Sequence, residues 1–219
     1  MVQVRKYQLP PTALMPNSPH PLLHYPGFLD PAKEGKASAA YETLHSNGWE
    51  VQWIFRYGQT QRSHYHSHAH ECMAVLSGTA IIRFGVADTS DDMEENTYGP
   101  AREEGGIELV ANAGDVFILP AGTAHKTYDA KPETIFTLLT PGDGHRVGAG
   151  ENIKAALEET EKRITGFTMI GAYPKDGGQW DFQVGGEDVG SFDEIWQVPV
   201  PDRDPVLGTS EEGLRGIWV

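Results

Sequence analysis

Between Trp49 and Thr140 the apolar residues come in short runs, each cut off by glycine or a polar turn, and this rhythm is the strongest constraint on the fold. Strands are predicted at 50–57, 71–76, 79–86, 106–111, 115–119, 124–128 and 134–139. Closely spaced strands with turn signals between them are the organisation of a β-barrel or jelly roll, an all-β class. A chain of 219 residues fits one such domain and can bury a substantial core.

Two blocks inside this region carry chemistry. In the first, His64 and His66 are two residues apart, so on a strand both imidazoles leave the same face. Glu71 follows a polar turn and begins the apolar run Cys72-Met-Ala-Val-Leu76, so it returns to that face from a neighbouring strand. In the second block, Leu119-Pro-Ala-Gly-Thr-Ala-His125 is a turn between two strands, and His125 opens the later one. Three imidazoles and one carboxylate make a ligand set for a divalent transition metal. The bland alternative is histidines that sit on strands as satisfied polar groups.

Together the blocks resemble both motifs of the cupin family. Gly58 is followed by five residues, His64-x-His66, four residues, Glu71, six residues and Gly78; then come Gly114, five residues, Pro120-x-Gly122, two residues and His125. The departure is Asp129, where the second motif ends in asparagine, a position that is not a ligand. A closer resemblance is to the YjlB-like cupins of bacteria and fungi, through Asn47-Gly-Trp49, His64-Tyr-His-Ser67, His70-Glu71, Gly171-Ala-Tyr-Pro174 and Asp204-Pro-Val206. The resemblance runs from about residue 17 to the C-terminus. It implies a double-stranded β-helix, all-β with a few short peripheral helices, that holds one divalent ion (Fe, Mn, Ni, Cu or Zn) through His64, His66, Glu71 and His125. It also implies a homodimer, because cupins commonly pair through sheet edges and exchanged N-terminal arms.

Outside the motifs, residues 1–36 read as an extended arm, with seven prolines between 9 and 35, and 37–219 as the cupin domain. A helix is predicted over Ala37–Ser46, with Ala40, Tyr41 and Leu44 on one stripe and Asn47-Gly48 as the stop. A second, inserted at about 150–165, carries Ile153, Ala156, Leu157 and Ile164 on its apolar stripe and is expected to serve packing. The acidic stretch 88–104 reads as a solvated loop, and the tail from about 198 to 219 as irregular structure around the barrel.

Other candidates have plain readings. His70 should face away from Glu71, exposed or supporting a ligand, although an irregular turn could make it one; His68 is expected exposed. His20, His24, His45 and His145 are taken as surface or capping residues, and Cys72 as a small buried hydrophobe. Val51, Trp53, Phe55 and Tyr57 share one face by alternation, as core or cavity lining. Tyr57, Arg62 and Tyr128 are the candidates for substrate contacts. Gly148-Ala-Gly150 lacks the context of a dinucleotide loop, so no further cofactor is expected.

A net charge of −14 and the absence of interleaved basic and aromatic residues argue against nucleic acid and acidic membranes. No apolar run approaches the ~20 residues of a membrane span, the first ten residues lack a signal-peptide core, and a single cysteine excludes an internal disulfide. A cytoplasmic protein is expected, acting on a small molecule. If the ion is redox-active, the expected activity is that of a dioxygenase or oxidase on an oxygen-chelating substrate; the alternatives are a metal-dependent isomerase or lyase, and a non-enzymatic ligand-binding or metal-storage protein.

Overall fold

The computed structural model describes residues 2–30, 36–148, 150 and 152–219, which leaves Met1, the end of the arm (31–35), Ala149 and Glu151 outside the description. Its ten strands are β1 (Arg5–Tyr7), β2 (Leu22–Tyr25), β3 (Trp49–Arg56), β4 (Glu71–Ser77), β5 (Thr79–Phe84), β6 (Ile107–Asn112), β7 (Val116–Leu119), β8 (His125–Lys131), β9 (Thr137–Leu138) and β10 (Thr168–Pro174). They form two antiparallel sheets, seven strands in the order β1-β2-β7-β4-β10-β3-β9 and three in the order β6-β5-β8. This is the jelly-roll β fold expected from the strand rhythm, with short helices α1 (Lys36–Ser46), α2 (Met93–Thr97), α3 (Ile153–Glu161), α4 (Phe192–Ile195) and α5 (Leu214–Ile217) around it.

The large sheet is covered on both faces, which is why β4 is an unbroken apolar run rather than an alternating one. Met73 and Val75 point into the barrel, against Ile82 and Phe84 of the small sheet. Cys72, Ala74 and Leu76 point the other way, into a second core closed by α1, α3 and the tail. Cys72 is thus a buried free thiol among aliphatic side chains. The parity that sends Met73 and Val75 inward also sends Glu71 inward.

Helix α1 ends as its residues require: the Asn47 and Gly48 amides donate to Leu44 and His45 carbonyls, and Gly48 takes φ +80°. It packs beside α3, whose Glu161 carboxylate accepts from the Ala37 amide at 2.7 Å.

Four expectations are corrected. The arm does more than lie over the surface, since β1 and β2 extend the large sheet and Leu22, Leu23 and Tyr25 are fully buried. Stretch 88–104 is not simply a solvated loop: it contains α2, capped by Asp92, and buries Asn96, Thr97 and the Asp88 carboxylate. His24 is buried, stacked on Phe117 at 4.5 Å and paired with Asp115 at 3.5 Å. Finally, Val51 does not share a face with Trp53, Phe55 and Tyr57, because Gly171 pairs with Trp53 but Ala172 pairs with Val51, leaving Gln52 as a bulge. At that bulge the Trp53 ring lies on the backbone of Gly171, where a Cβ would fall 2.1 Å from it.

Candidate functional site

Three imidazoles meet inside one end of the barrel. His64 and His125 are joined through their backbones, His64 N–H to His125 O at 3.1 Å and His125 N–H to His64 O at 2.8 Å, so their rings lie 4.2 Å apart. Tyr65 points to the other side, into a small cluster with Met15 and Ala87, and alternation returns His66 to the face of His64. The His66 carbonyl accepts from Gly122 N–H at 2.8 Å, which ties the first block to the Pro120–Gly122 turn of the second. One nitrogen from each of His64, His66 and His125 lies within 4.8 Å of the others, and all three residues are at most 5% exposed.

Hydrogen bonds fix which nitrogen faces the centre. Nδ1 of His64 lies 3.0 Å from the Arg62 carbonyl, Nδ1 of His125 lies 3.2 Å from that of Thr123, and Nδ1 of His66 meets that of Asp181. A carbonyl only accepts, so each Nδ1 carries the proton and each Nε2 presents a lone pair inward.

Glu71 completes the cluster, with Oε1 3.3 Å from Nε2 of His66 and Oε2 3.4 Å from Nε2 of His125. The Tyr173 hydroxyl donates to Oε1 at 2.6 Å and itself accepts from Trp53 Nε1–H at 3.1 Å. Oε2 of Glu71 and Nε2 of His66 are buried with no hydrogen-bond partner. Acceptor atoms thus converge on one another with no donor between them, an arrangement that a cation relieves.

The protonation tendencies follow. Burial alone would raise the Glu71 carboxyl, but His66, His125 and the Tyr173 bond hold it at about 2. Burial would lower His66, yet Glu71 and the bond to the Asp181 carbonyl raise it. His64 is pushed well down by burial and by its two imidazole neighbours, and His125 is lowered by burial. Burial and Glu71 push the phenols of Tyr57 and Tyr173 well up, so both stay neutral.

Of the predicted substrate-contact residues, Tyr57 is buried near Glu71, whereas Arg62 and Tyr128 lie elsewhere. Arg62 is half-exposed and 3.8 Å from Asp91, and Tyr128 faces Arg83 on the outside of the small sheet. His70 is no part of the cluster: Nδ1 accepts from Ala121 N–H at 3.0 Å and Nε2 donates to the Pro199 carbonyl at 3.1 Å, so it holds the turn against the tail. Burial lowers it to about 4. His68 is exposed, as expected.

Sequence reasoning named Trp53 as core or cavity lining but missed Tyr173, Trp180, Asp181 and Phe182. Tyr173 was within reach, because it shares the inward parity of Met169 and Gly171 in β10. The segment 178–185 carried no local signal. It crosses the cluster with Phe182 stacked on His64 at 4.0 Å and 14°, and with Trp180 5.4 Å from His66. Three clefts of about 460, 540 and 660 Å³ line other parts of the chain, and none is bordered by His64, His66, Glu71 or His125.

The Cupin family model matches residues 58–162, which contain both blocks. The uncharacterized protein YjlB of Bacillus subtilis (strain 168) is 27% identical over 223 residues, 99% of this chain and 98% of that one. Among solved structures, RmlC from Streptococcus suis in complex with dTDP-D-xylose is 10% identical, with 82% of this chain and 72% of that one covered and a TM-score of 0.33. The capsular polysaccharide assembling protein CapF from Staphylococcus aureus is 13% identical over 84% of this chain, with a TM-score of 0.30. The chain spans about a third or less of the CapF and vicilin chains it matches. Among the described residues no helix is long and apolar enough to cross a membrane.

Proposed function

Starting from the chain's membership of the cupin family, in its YjlB-like form, we propose that it binds one divalent transition metal through His64, His66, Glu71 and His125 and acts as an oxidoreductase on a small oxygen-chelating molecule. The observation that carries the metal reading is the convergence of buried acceptor atoms, Nε2 of His66 and Oε2 of Glu71 foremost, with no donor to meet them. When bound, the ion supplies a Lewis-acidic, redox-capable centre for substrate oxygens and O2. The chain's own residues do the rest: three carbonyls hold the imidazoles in one tautomer, Tyr173 holds one oxygen of Glu71 so that the other is free, and Trp53, Tyr173 and Trp180 keep the surroundings apolar.

An isomerase or lyase needs a group that moves protons beside the ion. The Tyr173 hydroxyl is committed on both sides, as donor to Glu71 and acceptor from Trp53, so it is not such a group. Metal analysis of anaerobically prepared protein should find about one ion per chain, and His125→Ala should find none. Oxygen uptake should then appear with a member of a panel of small carboxylates, diols and phenols. Turnover that is equal with Zn(II) and without oxygen selects the isomerase or lyase reading, and tight metal binding with no reaction selects storage or ligand binding. A cytoplasmic homodimer belongs to the same proposal, and light scattering tests the dimer.

A further inference from the structure

The ligand residues are at most 5% exposed, so a substrate reaches them only if something above them moves. Glu71 and His125 sit on strands held in ladders, and His64 is bridged to His125. Segment 178–185 is held by fewer and more scattered contacts: one backbone bridge to Tyr65, with Tyr65 N–H to Gln183 O at 2.9 Å and Gln183 N–H to Tyr65 O at 3.0 Å, the Asp181 carbonyl on Nδ1 of His66, Trp180 Nε1–H to Gly144 O at 3.2 Å with its ring on His145, and one side-chain clamp. In the clamp Asp181 accepts from the Ser67 amide at 2.7 Å and from the Ser67 hydroxyl at 2.6 Å. Phe182 lies on His64 yet remains 50% exposed. Segments with few buried apolar contacts open at low free-energy cost.

Both ends of the segment pass close to the body of the barrel at glycine. A Cβ on Gly178 would fall 2.4 Å from the His68 carbonyl oxygen, and one on Gly185 would fall 2.6 Å from the Ala87 Cβ. These glycines let the segment lie flat over the cluster.

We propose that residues 178–185 form a gate over the ligand cluster, clamped by Asp181 on Ser67, and that Phe182 occupies the place a flat substrate takes on the face of His64. The inference rests on the metal reading above. It gives the substrate class as a planar, largely apolar molecule that carries its oxygen donors on one edge, because a ring that displaces Phe182 must face an imidazole while its edge points to the ligands. Trp180, parallel to Tyr173 at 6.0 Å, supplies a further aromatic wall.

The test uses the full chain loaded with Co(II), whose visible spectrum reports its ligands, and measures two quantities: the rate at which a chromophoric chelator removes the ion, and the affinity for 4-nitrocatechol against that for tartrate. Asp181→Ala, which loses the bonds to Ser67, and Phe182→Ala, which loses the stack on His64, should each speed removal by about tenfold, with the thermal midpoint little changed. Gly185→Ala should speed it as well. Phe182→Ala should bind 4-nitrocatechol several-fold more tightly than the unaltered chain, since no ring then competes for His64, and tartrate affinity should not change. Unchanged removal rates, or weaker 4-nitrocatechol binding in Phe182→Ala, overturn the gate while the metal reading stands. Failure of the chain to bind Co(II), or binding that His125→Ala leaves intact, overturns both.

Discussion

His125 and Lys126 are neighbours on one strand and enter opposite kinds of buried polar environment. Lys126 faces outward from the small sheet and is fully covered, its Nζ 2.9 and 3.1 Å from the two oxygens of Asp88. Beside it Arg83 donates to Glu108 at 2.8 Å, to the Asn96 carbonyl at 2.9 Å and to the Thr97 carbonyl at 2.8 Å, and lies over the Tyr128 ring. Donors and acceptors there match, and the result fastens stretch 88–104 to the sheet. His125 faces inward, to a cluster where Glu71 and His66 keep buried acceptor atoms without a partner. Burial and charge alone do not separate structure from function in this chain. Convergence of unmet atoms does, because isolated unmet buried atoms also occur at His24, Gln52 and Thr127, whereas Glu71 and His66 bring theirs together.

The comparison can be broken most sharply at Asp88. Asp88→Ala leaves the Lys126 charge buried and alone, and should cost about 3–5 kcal/mol by urea denaturation. The same treatment of the inner cluster should behave differently, since its deficit is filled from outside. Metal at a hundredfold its dissociation constant should raise the unfolding free energy of the unaltered chain by about 2.7 kcal/mol, and that of His125→Ala not at all. Tyr173→Phe removes the donor that holds Oε1 of Glu71 and should weaken metal affinity by about 10- to 100-fold, measured by competition with a chelator.

The smallest effect is expected at Asp115, a second satisfied group. Burial would raise its carboxyl, but His24 and the amides of Asn112 and Gly27 hold it below 3.8. Its folded value is thus below its unfolded one, so its contribution is fully present above pH 3.8 and is lost as the pH falls through the lower value. Asp115→Asn should lower stability slightly in the neutral region and leave it little changed below the folded value, so that the acid limb of a stability–pH curve flattens in that window.

Much of this was legible from residue order because it depends on alternation. Parity along β4 sent Glu71 inward and Cys72 outward, and the two-residue spacing of His64 and His66 survived even though that stretch makes only isolated bridges. Alternation failed where the backbone broke its own period, at the Gln52 bulge that separates Val51 from Trp53. The arm was harder to read, because Leu22–Tyr25 forms a strand only by docking on β7, a contact made about ninety residues away in the chain. The gate was harder still. Trp180, Asp181 and Phe182 follow the last strand with no periodic pattern, and their positions are set by Ser67, Tyr65 and His64, which no short-range rule links to them.

The paired backbone bonds between His64 and His125 set the distance between two of the proposed ligands without using either side chain. The socket and its donors are therefore separable. Exchanging a donor at either position, imidazole for carboxylate or thiolate, alters the softness of the site while the frame that spaces it stays in place. Which ion this barrel prefers becomes a property of replaceable side chains, and the scaffold can be retuned one position at a time.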